Sequence, residues 1–343
     1  MNGFNLSDIQ DARLGGTQLS AIYLGSTKLW PTLIDYSQEY LTIESLADNN
    51  TISFNKNGSA ETKTIYWSSD KTTWNSVSTS DADTTLKTLS NNEKIYIKGS
   101  NNNYASSTTL YNYFSSDAEF NISGNIMSLI YGDNFIGQTA LPSVSYIFGS
   151  IFRNSKVVDA SNLILPATTL ANYCYSNMFY GCTSLTAPPE LPATTLQSRC
   201  YNSMFNRCTS LTAPPELPAT TLANYCYNYM FYGCTSLTAA PELQATTLAD
   251  HCYYCMFQGC TSLTTAPELP ATTLVTWCYG YMFAGCTSLN YIKCLATNIS
   301  ATNSHSNWVT SVASTGTFVK PTSMTSWGSG SNDIPRGWTV VDV

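Results

Sequence analysis

Leu196-Gln-Ser-Arg-Cys-Tyr-Asn-Ser-Met-Phe-Asn-Arg-Cys-Thr-Ser-Leu-Thr-Ala-Pro-Pro-Glu-Leu-Pro-Ala-Thr-Thr221 is one copy of a 26-residue unit that occurs five times between Leu170 and about Ile299. Leucines lead the copies at 170, 196, 222, 248 and 274, and a Met-Phe pair begins at 178, 204, 230, 256 and 282. Cysteines recur at 174, 200, 226, 252 and 278, and again at 182, 208, 234, 260 and 286. A fixed period of this size means stacked units, each too small to bury an apolar face alone. Such stacking builds a long surface rather than a pocket, so binding is the expected class of function.

Comparing the copies within this one chain separates two faces. Counted from the leading Leu as zero, positions zero, four, five, eight and nine hold nearly constant residues. Positions two, three, six, seven and ten vary. At about 100° per residue the two sets fall on opposite halves of a helical wheel. This predicts an amphipathic helix over Leu170–Gly181 and its equivalents, with Gly at position eleven as a stop. Cys-Thr-Ser-Leu-Thr then reads as the one strand of each coil, burying Leu185, Leu211, Leu237, Leu263 or Leu289. The Pro-rich return cannot be helical, and its closing Thr-Thr pair supplies an N-cap hydroxyl. The expected architecture is therefore multidomain, ending in an α/β leucine-rich-repeat solenoid.

Ten of the twelve cysteines lie on repeat positions four and twelve. Stacked coils place equivalent residues above one another, so both sets read as ladders of small, buried, free thiols. The competing reading is a metal held by His251, Cys252 and Cys255, but no second ligand pair with zinc-like spacing accompanies that CxxC. No metal or other cofactor is expected.

Ahead of the repeats the pattern changes twice. Arg13-Leu-Gly-Gly-Thr-Gln-Leu19 is echoed by Tyr23-Leu-Gly-Ser-Thr-Lys-Leu29, each half reading as two short strands about a turn. We take residues 1–31 as an N-terminal β anchor module. Residues 32–115 alternate as short strands, expected at Tyr40–Ser45, Thr51–Asn55, Thr64–Ser68, Thr84–Leu89, Lys94–Lys98 and Thr108–Tyr113, which suits an immunoglobulin-like β-sandwich. Trp67 and Trp74 fit its core or edge, and Ile95 and Ile97 its inner face. Residues 116–169 hold an N-terminal cap and a degenerate repeat, with Ile151-Phe152 standing where Met-Phe belongs. The repeats fill 170–299. Residues 300–343 form a C-terminal cap with β-like stretches at Thr315–Val319 and Trp338–Val341.

Composition narrows the partners. The chain has 343 residues, 11% of them charged, and a formal net charge of −7. An acidic surface without a Lys/Arg stripe argues against nucleic acid. No apolar run is long enough to span a bilayer, and Met1–Trp30 does not read as a secretory signal.

Met178-Phe-Tyr-Gly-Cys-Thr-Ser-Leu-Thr186 and its copies resemble the BspA-like leucine-rich repeats of surface proteins from gut anaerobes and of their phages. The resemblance covers about 121–343, including Gly316-Thr-Phe-Val-Lys-Pro and Ile334-Pro-Arg-Gly-Trp-Thr-Val. Ile22-Tyr-Leu-Gly-Ser-Thr-Lys-Leu-Trp30 resembles a short module at the start of phage virion proteins, including those of crAss-like phages. The resemblance implies adhesion or host recognition and transfers no fixed site residue. It implies a virion protein assembled in the host cytoplasm, a fibre or an appendage of capsid or tail. Such a subunit contacts other virion proteins through 1–31 and a host-surface glycan or protein through the repeats. An oligomer is expected, with a homotrimer the usual fibre arrangement. A bacterial cell-surface adhesin of the same repeat family is the alternative.

An enzyme has little to rest on. His251 and His305 have no Ser or Cys plus acid at a recognisable spacing. Glu190, Glu216, Glu242 and Glu268 recur at the repeat period, reading as a solvated row, with Ca²⁺ bridging as the sharper alternative. The varied face offers more. Position three carries Tyr173, Arg199, Tyr225, His251 and Trp277, a row of flat side chains. Position seven adds Tyr229 and Tyr281, and position ten Tyr180 and Tyr232. Aromatic faces stack on the C–H surfaces of sugars, which makes these the candidate ligand-binding residues against ordinary drift on a convex surface.

Overall fold

The computed structural model describes residues 35–343, together with the backbone of four short strands before them. Met1–Tyr36 and Ser37–Val343 form two separate compact units. In the first, β1 (Arg13–Leu14) pairs antiparallel with β2 (Thr17–Gln18), and β3 (Ile22–Leu24) with β4 (Thr27–Trp30). Both halves of the small duplication are thus paired strands. Most of the anchor module expected at 1–31 lies outside the described residues.

The larger unit begins with the alternating segment. Its strands are β5 (Leu41–Ser45), β6 (Asn50–Lys56), β7 (Thr64–Ser68), β8 (Asn75–Ser78), β9 (Thr85–Leu89), β10 (Lys94–Gly99), β11 (Asn112–Ser116) and β12 (Phe120–Asn125). A single α-helix among the described residues, α1 (Ser128–Tyr131), follows. β13 (Asn162–Ile164) joins a six-stranded sheet in the order β13-β12-β5-β10-β7-β8, opposite a three-stranded sheet β11-β6-β9. Alternation fixes which side chains enter the core. Ile95 and Ile97 of β10 are fully buried, with Leu41, Ile43, Ile52 and Phe54. Three strands of these sheets were not expected: polar β8, whose one buried apolar side chain is Val77, β12 and β13. The strand expected at Thr108–Tyr113 starts later, because the Ser107 hydroxyl accepts from the Thr109 and Leu110 amides and holds a turn there.

The repeat is where expectation and structure part. Leu170–Gly181 and its equivalents are not helical, no Cys-Thr-Ser-Leu-Thr strand forms, and the α/β leucine-rich-repeat solenoid is not the fold. Without a helix the Thr-Thr pairs cap nothing. They bridge neighbouring coils instead, as Thr195 does with Thr221. Each unit is a coil of linked turns. Amides at even positions close short turns, as Cys174 N–H to Ala171 C=O and Ser176 N–H to Tyr173 C=O. Amides at odd positions donate to the next coil, as Tyr175 to Cys200 C=O and Phe179 to Met204 C=O. The backbone is satisfied partly within its own coil and partly across to the neighbour.

This geometry puts every fourth residue into the left-handed region. In the five repeats these are positions three, seven and eleven. The same pattern continues one coil earlier at Tyr146, Ser150 and Asn154, and one later at Asn303, Asn307 and Ser311. The non-glycine members have φ from 52° (Asn307) to 61° (Ser150), while Gly181, Gly233, Gly259 and Gly285 occupy four of the position-eleven sites. The wheel failed for a definite reason. Constant residues at zero, four, eight and twelve fit a period of four as well as one of 3.6, because the two periods diverge by little over a residue in twelve.

The constant positions do form the buried half of each coil. The ladder cysteines, the Met-Phe pairs and Leu185, Leu211, Leu237, Leu263 and Leu289 are all fully buried. Phe152, Phe179, Phe205, Phe231, Phe257 and Phe283 stack 5.6–5.8 Å apart, and Phe114 of β11 meets Phe152 at 5.6 Å. One core therefore continues from the sheets into the coils. Two or three left-handed non-glycine residues per coil cost about 2–6 kcal/mol. Burial of Tyr, Met, Phe and Leu contributes about 1.5–3 kcal/mol for each side chain, so packing wins. At the far end β14 (Tyr291–Lys293), β15 (Thr317–Lys320) and β16 (Thr339–Asp342) form a parallel sheet, close to the two β-like stretches expected there. No helix among the described residues is long and apolar enough to cross a membrane.

Candidate functional site

Positions three and seven are left-handed corners of the coil; all five position-three side chains are half-buried, as are Tyr229 and Tyr281 at position seven, while Asn177, Ser203 and Cys255 are buried. Coil stacking then sets equivalent corners side by side. The position-three residues form an unbroken row. Tyr146 stacks on Tyr173 at 4.3 Å. Arg199 donates to the Tyr173 hydroxyl at 2.9 Å and lies over the Tyr225 ring at 4.2 Å. Tyr225 stacks on His251 at 4.3 Å, and His251 faces Trp277 at 6.1 Å. All five expected members are brought together and half-buried against each other. Tyr146, which extends the row, was missed because a one-residue slippage shifts its copy out of register.

His251 belongs to this row and Cys252 to the core, so the two side chains diverge. Among the described residues no group of three metal-ligating side chains converges. Burial lowers the His251 pKa, with Arg199 adding to the effect and Asp250 opposing it. The ring is therefore neutral at pH 7 and stacks as an aromatic rather than as a cation.

The position-seven tyrosines lead to a second feature. Tyr254 meets Tyr229 edge-on at 5.5 Å and Tyr281 at 6.0 Å, and Tyr281 lies parallel to Trp277 at 6.3 Å. The rings of Tyr229, Tyr254 and Tyr281 border an open groove of about 370 Å³ that also includes Asn206, Arg207, Cys255 and Gln258. Tyr180 and Tyr232 complete its wall. The expected Tyr229 and Tyr281 thus share a concavity with residues the sequence did not single out. These come from positions six, ten and eleven of different copies, and only the coil geometry puts them side by side.

All twelve cysteines are free and buried. The position-twelve thiols each donate to a phenylalanine carbonyl of the preceding coil, as Cys208 to Phe179 at 3.1 Å and Cys234 to Phe205 at 3.0 Å. Burial raises their pKa, to about 12 for Cys182 and Cys234. These ladders are packing with a hydrogen bond, not redox chemistry.

The glutamate row lies exposed on the Pro-rich returns, where Glu268 pairs with Lys293 at 2.8 Å. Near the last coil, Ser304 Oγ lies 2.8 Å from His305 Nδ1, and His305 Nε2 lies 4.0 Å from Asp333. The grouping has the residue types of a hydrolytic triad, and local spacing does not reveal it because Asp333 lies 28 residues beyond His305. Ser304 is only 1% exposed and its hydroxyl also bonds the Ile299 carbonyl at 3.2 Å. A nucleophile so enclosed has no room for a substrate carbonyl.

No protein-family model matches the chain, and neither a curated protein nor a solved structure does.

Proposed function

We propose that the chain is a non-enzymatic adhesion subunit of a phage particle, a fibre or appendage protein. In this reading residues 1–31 join other virion proteins and the stacked coils face a glycan or protein on the host surface. The observation that carries the binding half is the row Tyr146–Tyr173–Arg199–Tyr225–His251–Trp277. Flat side chains held at fixed spacing by the backbone lose little conformational entropy on binding, which favours recognition of extended ligands. The virion half rests on the resemblance of the opening segment and of the repeats to those of phage proteins. A bacterial surface adhesin remains the alternative, and antibodies against the chain separate the two by decorating purified virions or bare cells.

The test of binding uses labelled full-length chain and intact cells of gut anaerobes. Periodate, which cleaves sugar diols, is expected to abolish binding, while protease treatment of the cells leaves it. Loss after protease alone would move the ligand from glycan to protein. No binding to any cell tested would remove the adhesion reading.

A further inference from the structure

The tyrosine groove brings a cation and an unanswered polar group together in one concavity. Asn206 is 6% exposed, lines the groove, and its Oδ1 has no hydrogen-bond partner. An orphan acceptor in so buried a residue is uncommon and calls for an explanation. Arg207, next in the chain, is exposed and also lines the groove. No ion pair engages its guanidinium among the described residues, and no carboxylate lines the groove. In a chain of net charge −7, a cation placed without an acid beside a bank of phenol rings favours an anionic group on a ligand that is otherwise hydroxylated.

We infer that this groove binds a carboxylated saccharide. The inference rests on the adhesion reading and names the ligand class and the residues. The rings of Tyr229, Tyr254 and Tyr281 supply faces and edges for the sugar C–H surface. Arg207 offers its forked donors to the carboxylate. Asn206 needs only a turn of its terminal amide, a soft torsion, to present its acceptor to a sugar hydroxyl. Gln258 at the groove edge supplies both a donor and an acceptor. A neutral sugar would leave Arg207 unanswered, and a small inorganic anion would leave the rings unused.

Calorimetry on the full chain tests this with two acids and their neutral counterparts: sialyllactose against lactose, and trigalacturonate against its methyl ester. At least one acid is expected to bind about tenfold or more tighter than its counterpart, the usual size of a charge-assisted hydrogen bond. Which acid binds distinguishes a sialylated from a uronic ligand. Arg207→Gln should bring the acid down to the affinity of the neutral form. Asn206→Ala should weaken both alike, and Tyr66→Ala, an exposed residue of β7 outside both the groove lining and the corner row, should change neither. Equal binding of acids and neutral forms, no binding of any probe, or a preference that survives Arg207→Gln would overturn the assignment. If cells are bound while these sugars are not discriminated, the groove assignment fails and the adhesion reading stands.

Discussion

The guanidinium of Arg199 lies 4.2 Å from the centre of the Tyr225 ring, one coil away along the stack. It also donates to the Tyr173 hydroxyl on the opposite side, so one cation ties three coils together at their corners. A half-buried cation–π contact is worth about 1 kcal/mol. Arg199→Ala is therefore expected to lower stability by about 1 kcal/mol in denaturant titration, and Arg199→Lys by less. An unchanged midpoint for Arg199→Ala would mean that the row is only an alignment of exposed side chains.

Ser203 occupies position seven, in the middle of the segment expected to be helical, with φ at 55°. Glycine adopts that conformation without steric penalty, whereas in a helix interior it costs about 0.5 kcal/mol relative to Ser. Ser203→Gly should thus leave stability unchanged or raise it by up to about 1 kcal/mol. A clear fall in the unfolding midpoint would favour helical repeats over linked turns.

What the sequence could tell depended on how local the deciding interactions were. Ile95 and Ile97 were legible because strand alternation is local, and the buried Cys, Met and Phe positions were legible because five internal copies hold them constant. The left-handed corners were not. Tyr225, His251 and Trp277 are residues that no local rule assigns to φ > 0, and coil-to-coil hydrogen bonding imposes it on them. The row at position three was visible as variation against a constant background. The groove was not, because Asn206, Tyr229 and Gln258 belong to three different copies and to positions ten, seven and ten. Their meeting depends on the stagger between coils.

The thiols carry a pH signature. Burial holds Cys182 and Cys234 near pKa 12, against 9 in an open chain. As pH rises past 9 the unfolded chain loses thiol protons that the folded chain keeps. Stability is then fully present below pH 9 and declines towards pH 12. The native protein should show almost no reaction with a thiol reagent at pH 8, and all twelve cysteines should react in denaturant. Rapid labelling of several native thiols would contradict the buried ladders.

His251 and His305 behave in the opposite direction. Burial lowers both pKa values below the ordinary 6.5, opposed by Asp250 and Asp333 respectively. The unfolded chain takes up protons first as pH falls, so stability is present above 6.5 and is lost progressively below it. Thermal midpoints should drop between pH 7 and pH 5, and His305→Gln should reduce the slope. A midpoint that rises on acidification would show that both imidazoles are charged in the folded protein.

The central claim is that the corner row is the recognition surface, and Tyr225→Ala/Trp277→Ala tests it most directly. Binding of this full-length double variant to gut-anaerobe cells is measured beside the unaltered chain, with its thermal unfolding recorded to confirm an intact stack. Loss of the two largest ring contacts should weaken binding at least about a hundredfold, since buried aromatic anchors commonly contribute 2 kcal/mol or more apiece. Undiminished binding by a folded double variant would contradict the account.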